Sequence, residues 1–267
     1  MQRRHTIRHL AWRSGVAVVS QAMMFSGLYP FLPHVFRAAQ RRNVGTLRTA
    51  FAEWGISMAL SAARPAGFLP LPGARQRGPR PIILVHGYAM NRANFVPLAY
   101  RLARAGLGPI VGFEYWTLGR TAAAARQLSW FVEHVQSMTG SPQVDIIGHS
   151  MGGVVGRYYV TLLGGDGAVA NLVTIGSPHA GTDMSEFGVG HPTRELVVGS
   201  KLVQRLSAAP PPQDTRVLMI FSHADALVPA SGQSEYARAE RIVYDDLGHV
   251  ALLGSRRVAR DIIRRLK

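Results

Sequence analysis

Cysteine is absent from the 267-residue chain, which excludes disulfides, a thiolate nucleophile and cysteine-ligated metal, and leaves the redox compartment open. Lysine is almost absent, since 28 of the 30 basic residues are arginine. Acids are few, 15 in all, so the formal net charge is +15. The shortage is local. Residues 1–80 hold 12 arginines and a single acid, Glu53, a balance of +11, while residues 81–267 carry 18 basic and 14 acidic groups, or +4. The apolar stretch from Ser14 to Tyr29 is 16 residues long, short of the roughly 20 that cross a hydrocarbon core, and Ser20, Gln21 and Ser26 dilute it. Arginines interleaved with apolar stretches, and no recognised nucleic-acid module, argue against a nucleic-acid partner. An anionic membrane surface is the better electrostatic partner for residues 1–63.

What the chain does have is 47% hydrophobic residues, enough to bury one substantial core. Apolar strands are expected at 81–86, 109–114, 143–149, 169–175, 215–222 and 240–244, alternating with helices near 93–105, 120–139, 152–163, 194–207 and 251–266. That alternation predicts an α/β fold with a mostly parallel sheet flanked by helices. Residues 81–267 read as one catalytic domain. Residues 1–80 read as a basic, apolar helical extension whose second helix is Phe51 to Ala63, followed by a proline-rich linker from Leu69 to Pro79. Residues 184–212 form an insertion in which Leu196, Val197, Leu202, Val203 and Leu206 recur at helical spacing. It reads either as a small lid or as a helix packed against the sheet.

Gly148-His149-Ser150-Met151-Gly152 falls where the apolar run Val144–Ile147 gives way to a helical stretch, the setting of a nucleophile elbow. A serine on so sharp a turn has strained backbone angles, and residues two positions either side pass too close for a β-carbon. Gly148 and Gly152 answer that need. Upstream, a buried strand runs into His86-Gly87-Tyr88, where a second oxyanion-hole amide belongs; downstream lie Asp225 and His249, each after a strand. Ser, Asp and His thus follow one another in the order an α/β-hydrolase requires. Asp183, Asp245 and Asp246 compete for the acid role, but Asp183 falls one strand early and the other two lie too near His249 in sequence.

Through VHGY at 85–88, GHSMGG at 148–153, GSPHAGT at 176–182, HADALVP at 223–229 and GHVALL at 248–253, residues 81–267 resemble compact bacterial lipases and esterases of the α/β-hydrolase superfamily. The resemblance implies a carboxylic ester hydrolase in which Ser150 is the nucleophile, His249 the base and Asp225 its partner. The backbone N–H groups of Tyr88 and Met151 would form the oxyanion hole, and lipid or other hydrophobic acyl esters would be the substrates. Acyltransferase or thioesterase chemistry uses the same triad, and a non-catalytic membrane scaffold is the alternative from another class. No cofactor is implied. Calcium is not expected, because the run Val250-Ala251-Leu252-Leu253 after His249 lacks the aspartate that larger calcium-dependent relatives carry. His86, His149 and His179 are expected to be structural.

Three readings stay open for the N-terminal segment: an interfacial membrane anchor, a signal peptide whose basic start is Arg3-Arg4, and a soluble helical cap packed on the core. Some similar esterases carry such apolar helices with an E-W pair like Glu53-Trp54. The expected location is therefore membrane-associated in a bacterium, with cytoplasmic or exported forms as the alternatives.

Overall fold

The computed structural model describes residues 44–183, 190–228 and 238–267. The apolar stretch Ser14–Tyr29 lies outside them. Among the described residues no helix is long and apolar enough to cross a membrane.

Six strands form one sheet in the order β2-β1-β3-β4-β5-β6: β1 (Ile82–Val85), β2 (Ile110–Phe113), β3 (Val144–His149), β4 (Val169–Ile175), β5 (Arg216–Ser222) and β6 (Glu240–Tyr244). Every neighbouring pair is parallel. The central strands β1, β3 and β4 are buried at every position, which is why their sequences are continuous apolar runs rather than alternating ones. Edge strand β6 is largely exposed and reads Glu-Arg-Ile-Val-Tyr.

Alternate residues of the strands feed two cores. Ile83, Val85, Ile146, Leu172 and Met219 face helices α3 (Thr121–Thr139) and α4 (Met151–Leu162). Ile82, Leu84, Ile147, Val173 and Leu218 face α2 (Val96–Arg104) and α8 (Arg256–Leu266) on the other side. Each such side chain contributes about 1.5–3 kcal/mol of burial, so a one-residue slip in register would exchange the two cores wholesale. Because all strands are parallel, the loops after β1, β3, β5 and β6 gather at one edge of the sheet, where α/β folds place ligands.

Two expected helices are broken. The 194–207 segment divides into α5 (Pro192–Glu195) and α6 (Lys201–Ala208), because the Ser200 hydroxyl accepts the Val203 N–H and starts a new helix. The 251–266 segment divides into α7 (Ala251–Gly254) and α8, where Ser255 accepts from the N–H groups of Arg257 and Val258. In both cases a serine cap interrupts an apolar period that itself continues. Helix α6 buries Val203 and Leu206, and the buried Arg157 guanidinium of α4 donates to the Leu206 carbonyl at 2.8 Å. This part of the insertion is packed on the core.

Ahead of the sheet, helix α1 (Val44–Ala62) turns a polar edge inward. Glu53, Ser57 and Ser61, spaced four apart, are buried, while Phe51 and Trp54 are 62% and 41% exposed. The segment after it is stitched to the loop following β1. Arg64 Nη1 donates to the Ala89 carbonyl at 2.7 Å, the Asn91 side chain donates to the Arg64 carbonyl at 3.1 Å, and Arg92 Nε donates to the Gly67 carbonyl. Leu71 is buried among the residues of the α2 core.

Candidate active site

Ser150 stands between the last residue of β3 and the first of α4, at φ 53° and ψ −126°. A non-glycine residue there is strained, and the surroundings hold it in place: its N–H donates to the Ile175 carbonyl at 2.8 Å, and its carbonyl accepts from Gly153 N–H at 3.0 Å. A β-carbon on Gly152 would lie 2.1 Å from the Val85 carbonyl oxygen, and one on Gly148 would lie 2.5 Å from the Gly153 backbone. Both elbow glycines are therefore required by close approach.

Asp225 lies three residues beyond β5. Its Oδ1 accepts the N–H groups of Leu227 and Val228 at 2.8 and 2.9 Å, which turns Oδ2 toward His249, whose Nδ1 is 2.7 Å away. Both side chains are buried. The rival carboxylates point elsewhere: Asp246 pairs with Arg257, and Asp245 faces His223 at 3.9 Å. Burial alone would lower the His249 pKa. The charge and hydrogen bond of Asp225, with the nearby Glu53 charge, outweigh it and raise it above the ordinary histidine value.

The three histidines expected to be structural are tied into the frame. His149 Nε2 lies 3.1 Å from the His249 carbonyl, and the two rings are 4.7 Å apart; burial, with the adjacent His249 charge, lowers the His149 pKa well below the usual value, so the ring is neutral and donates. His179 Nε2 meets Thr174 Oγ1 at 3.0 Å. His86 stacks on Tyr115, whose hydroxyl donates to the His86 carbonyl at 2.7 Å, and its Nε2 lies 3.2 Å from Glu114.

Ser150 and His249 open into one cleft, together with Tyr88 and Met151. Met151 is the first residue of α4, so its N–H has no carbonyl partner within the helix. The remaining wall is mostly apolar: Leu60, Met90, Leu196, Leu227, Val228 and Val250. Leu60, with Ser57, Ser61 and Arg64, comes from α1 and the turn after it, so the N-terminal helix forms one side of the cleft.

Sequence reasoning gave Glu53 no role here. Its carboxylate is wholly buried and accepts from Val250 N–H at 2.8 Å through Oε2 and from Ala251 N–H at 2.7 Å through Oε1. Burial pushes its pKa up to about 7, against the pull of those amides and of His249. The available signal was an acid isolated in an apolar helix with serines four and eight positions on.

A family described as Domain of unknown function (DUF7379) matches residues 52–232, more than half of the chain. The chain belongs to the DUF7379 family. The matched region of this DUF7379 protein begins within α1, one residue before Glu53. Over 117 residues it is 32% identical to triacylglycerol lipases of Pseudarthrobacter phenanthrenivorans and Burkholderia plantarii. The aligned stretch is 40% of this chain but only 35% and 32% of theirs, about a third of the relatives' length. Among solved structures, the mature Bacillus licheniformis lipase superposes with a TM-score of 0.62 at 13% identity, over 72% of this chain and 94% of that one. Paleococcus ferrophilus monoacylglycerol lipase does so at 0.54 and 16% identity, over 71% and 96%. This DUF7379 protein has the α/β-hydrolase fold.

Proposed function

We propose that the protein is a serine carboxylic ester hydrolase of the lipase and esterase type, acting on hydrophobic acyl esters. The observation that carries this reading is the buried Asp225–His249 hydrogen bond of 2.7 Å, opening with the strained Ser150 into a single apolar cleft. The named activity of the partly aligned relatives agrees with it.

In this reading the Ser150 Oγ attacks the ester carbonyl carbon and its proton passes to His249 Nε2. Asp225 stabilises the resulting imidazolium through Nδ1–H. The N–H groups of Tyr88 and Met151 receive the charge on the carbonyl oxygen, donors of a kind worth about 3 kcal/mol of transition-state stabilisation each. Collapse breaks the bond to the alcohol, which leaves with the His249 proton. Water then attacks the acyl-enzyme and gives a proton to His249; the acid departs and Ser150 recovers its hydrogen. The apolar wall receives the acyl chain. Residues 1–63, with their arginine excess, would bring the cleft to an anionic lipid surface.

The test is a p-nitrophenyl ester series from acetate to palmitate, on the wild type and Ser150→Ala, with and without anionic liposomes. Hydrolysis that depends on Ser150 and rises with chain length and with liposomes is expected. Activity confined to short esters would limit the reading to an esterase without lipid preference. Turnover surviving Ser150→Ala would overturn the nucleophile, and hydrolysis of acyl-thioesters alone would replace the substrate class.

A further inference from the structure

We propose that Glu53 is a positioning residue for His249, and that through it the docking of helix α1 completes the active site. The inference rests on the hydrolase reading above for its catalytic consequence, though not for its geometry.

Three consecutive features of the chain around His249 are shaped to this carboxylate. Val250 and Ala251, the two residues that follow the histidine, each donate a backbone N–H to a different oxygen of Glu53, at 2.8 and 2.7 Å. Ahead of the histidine stands Gly248, where an added β-carbon would lie 2.3 Å from Glu53 Cγ and 2.4 Å from Cδ. The loop thus yields space on one side of His249 and offers two donors on the other. Both amides precede or open the single-turn helix α7 and have no carbonyl partner within it, so Glu53 supplies what that helix cannot. A charged acceptor serving two amides fixes the loop more firmly than water would, since charge-assisted hydrogen bonds are roughly twice as strong as neutral ones.

The charge also acts on the imidazole. His249 has Asp225 at its Nδ1, Glu53 beneath the following peptide and the neutral His149 ring at its face, with His86 behind His149. Two carboxylates therefore favour the imidazolium that forms when Ser150 gives up its proton, Asp225 directly and Glu53 in its ionised fraction, its own value being pushed up to about 7. Asp225 is supplied by the hydrolase core; Glu53 arrives on a helix from the other end of the chain.

The experiment uses the full chain with Glu53→Gln and Glu53→Asp. Gln is isosteric but presents one acceptor and one donor to two N–H groups, so it loses one bond and the charge. Asp keeps the charge and is one methylene too short to hold both amides. Expected for Glu53→Gln is a fall in kcat of tenfold or more on a soluble short-chain ester, with KM within threefold. The acid limb of kcat/KM should move to lower pH, because the histidine loses a neighbouring negative charge. Glu53→Asp should lower kcat while displacing that limb less. Independently of turnover, an NMR titration of the His249 ring should move to lower pH in Glu53→Gln. An unchanged His249 titration in a folded Glu53→Gln protein would overturn the proposal whatever the substrate. A wild-type enzyme inactive on all esters, with the titration shifted as expected, would count against the hydrolase reading alone. If Glu53→Gln does not fold, Glu53→Asp decides, since wild-type kcat in that variant overturns the positioning role.

Discussion

Replacing Asp225 with Asn changes one atom, and its consequence can be worked out from the hydrogen bonds around it. The side-chain oxygen of Asn must stay with the two amide donors Leu227 and Val228, now served by Asp225 Oδ1 at 2.8 and 2.9 Å. The opposite orientation would set an NH₂ group against two N–H groups. The amide nitrogen therefore replaces Oδ2 and points a donor at His249 Nδ1, 2.7 Å away. To accept it, the imidazole must carry its own proton on Nε2, the nitrogen that has to be empty to take the proton of Ser150. The wrong tautomer is held by the same geometry that held the right one. A loss of about 10³–10⁴-fold in kcat is expected, about 4–5.5 kcal/mol of transition-state stabilisation. The acid limb should also move to lower pH, because Asp225 is a principal cause of the raised His249 value. The assay is kcat and kcat/KM on p-nitrophenyl butyrate across the pH range, with circular dichroism to show that the fold is kept. A rate within tenfold of wild type would refute the reasoning and return attention to Asp245 or Asp246.

Gly248→Ala should reproduce much of the Glu53→Gln phenotype from the other side of the contact, since its β-carbon would lie 2.3 Å from Glu53 Cγ. A reduced kcat with KM nearly unchanged is expected in ester hydrolysis, and a wild-type rate would show that the carboxylate can retreat without consequence. Incubation with EDTA should leave turnover intact in the same assay, because every step assigned above uses a side chain or a backbone N–H; loss restored by added calcium would contradict that assignment.

The strands and the elbow were legible for a common reason. A strand covered on both faces is a continuous apolar run, and an elbow demands glycine where a β-carbon would lie 2.1 Å from another strand's carbonyl oxygen. Chain order, each standing after a strand, marked Asp225 and His249 as candidates, and the structure brings their side chains within 2.7 Å. The helix interruptions at Ser200 and Ser255 were missed because the apolar period passes straight through them: Leu252 and Leu253 are buried on one side of the Ser255 cap, Val258 and Ile262 on the other. Helix α1 misleads in a different way. Its segment reads only as an apolar helix, yet Glu53, Ser57 and Ser61 are buried while Phe51 and Trp54 are exposed. Glu53 on that edge is satisfied by the backbone N–H groups of Val250 and Ala251, 197 and 198 residues away, and no local pattern contains them.

The link between Glu53 and Val250 spans 197 residues, and that distance has a temporal meaning during synthesis. At about 5–20 residues per second, roughly 10 to 40 s separate the emergence of the helix from that of the loop it must hold. Through that interval the carboxylate lacks both of its amide donors. The loop that holds His249 can close on Glu53 only after residues 248–251 have been made. In the proposed reading, Ser150 is made well before the loop that presents its base can close on Glu53.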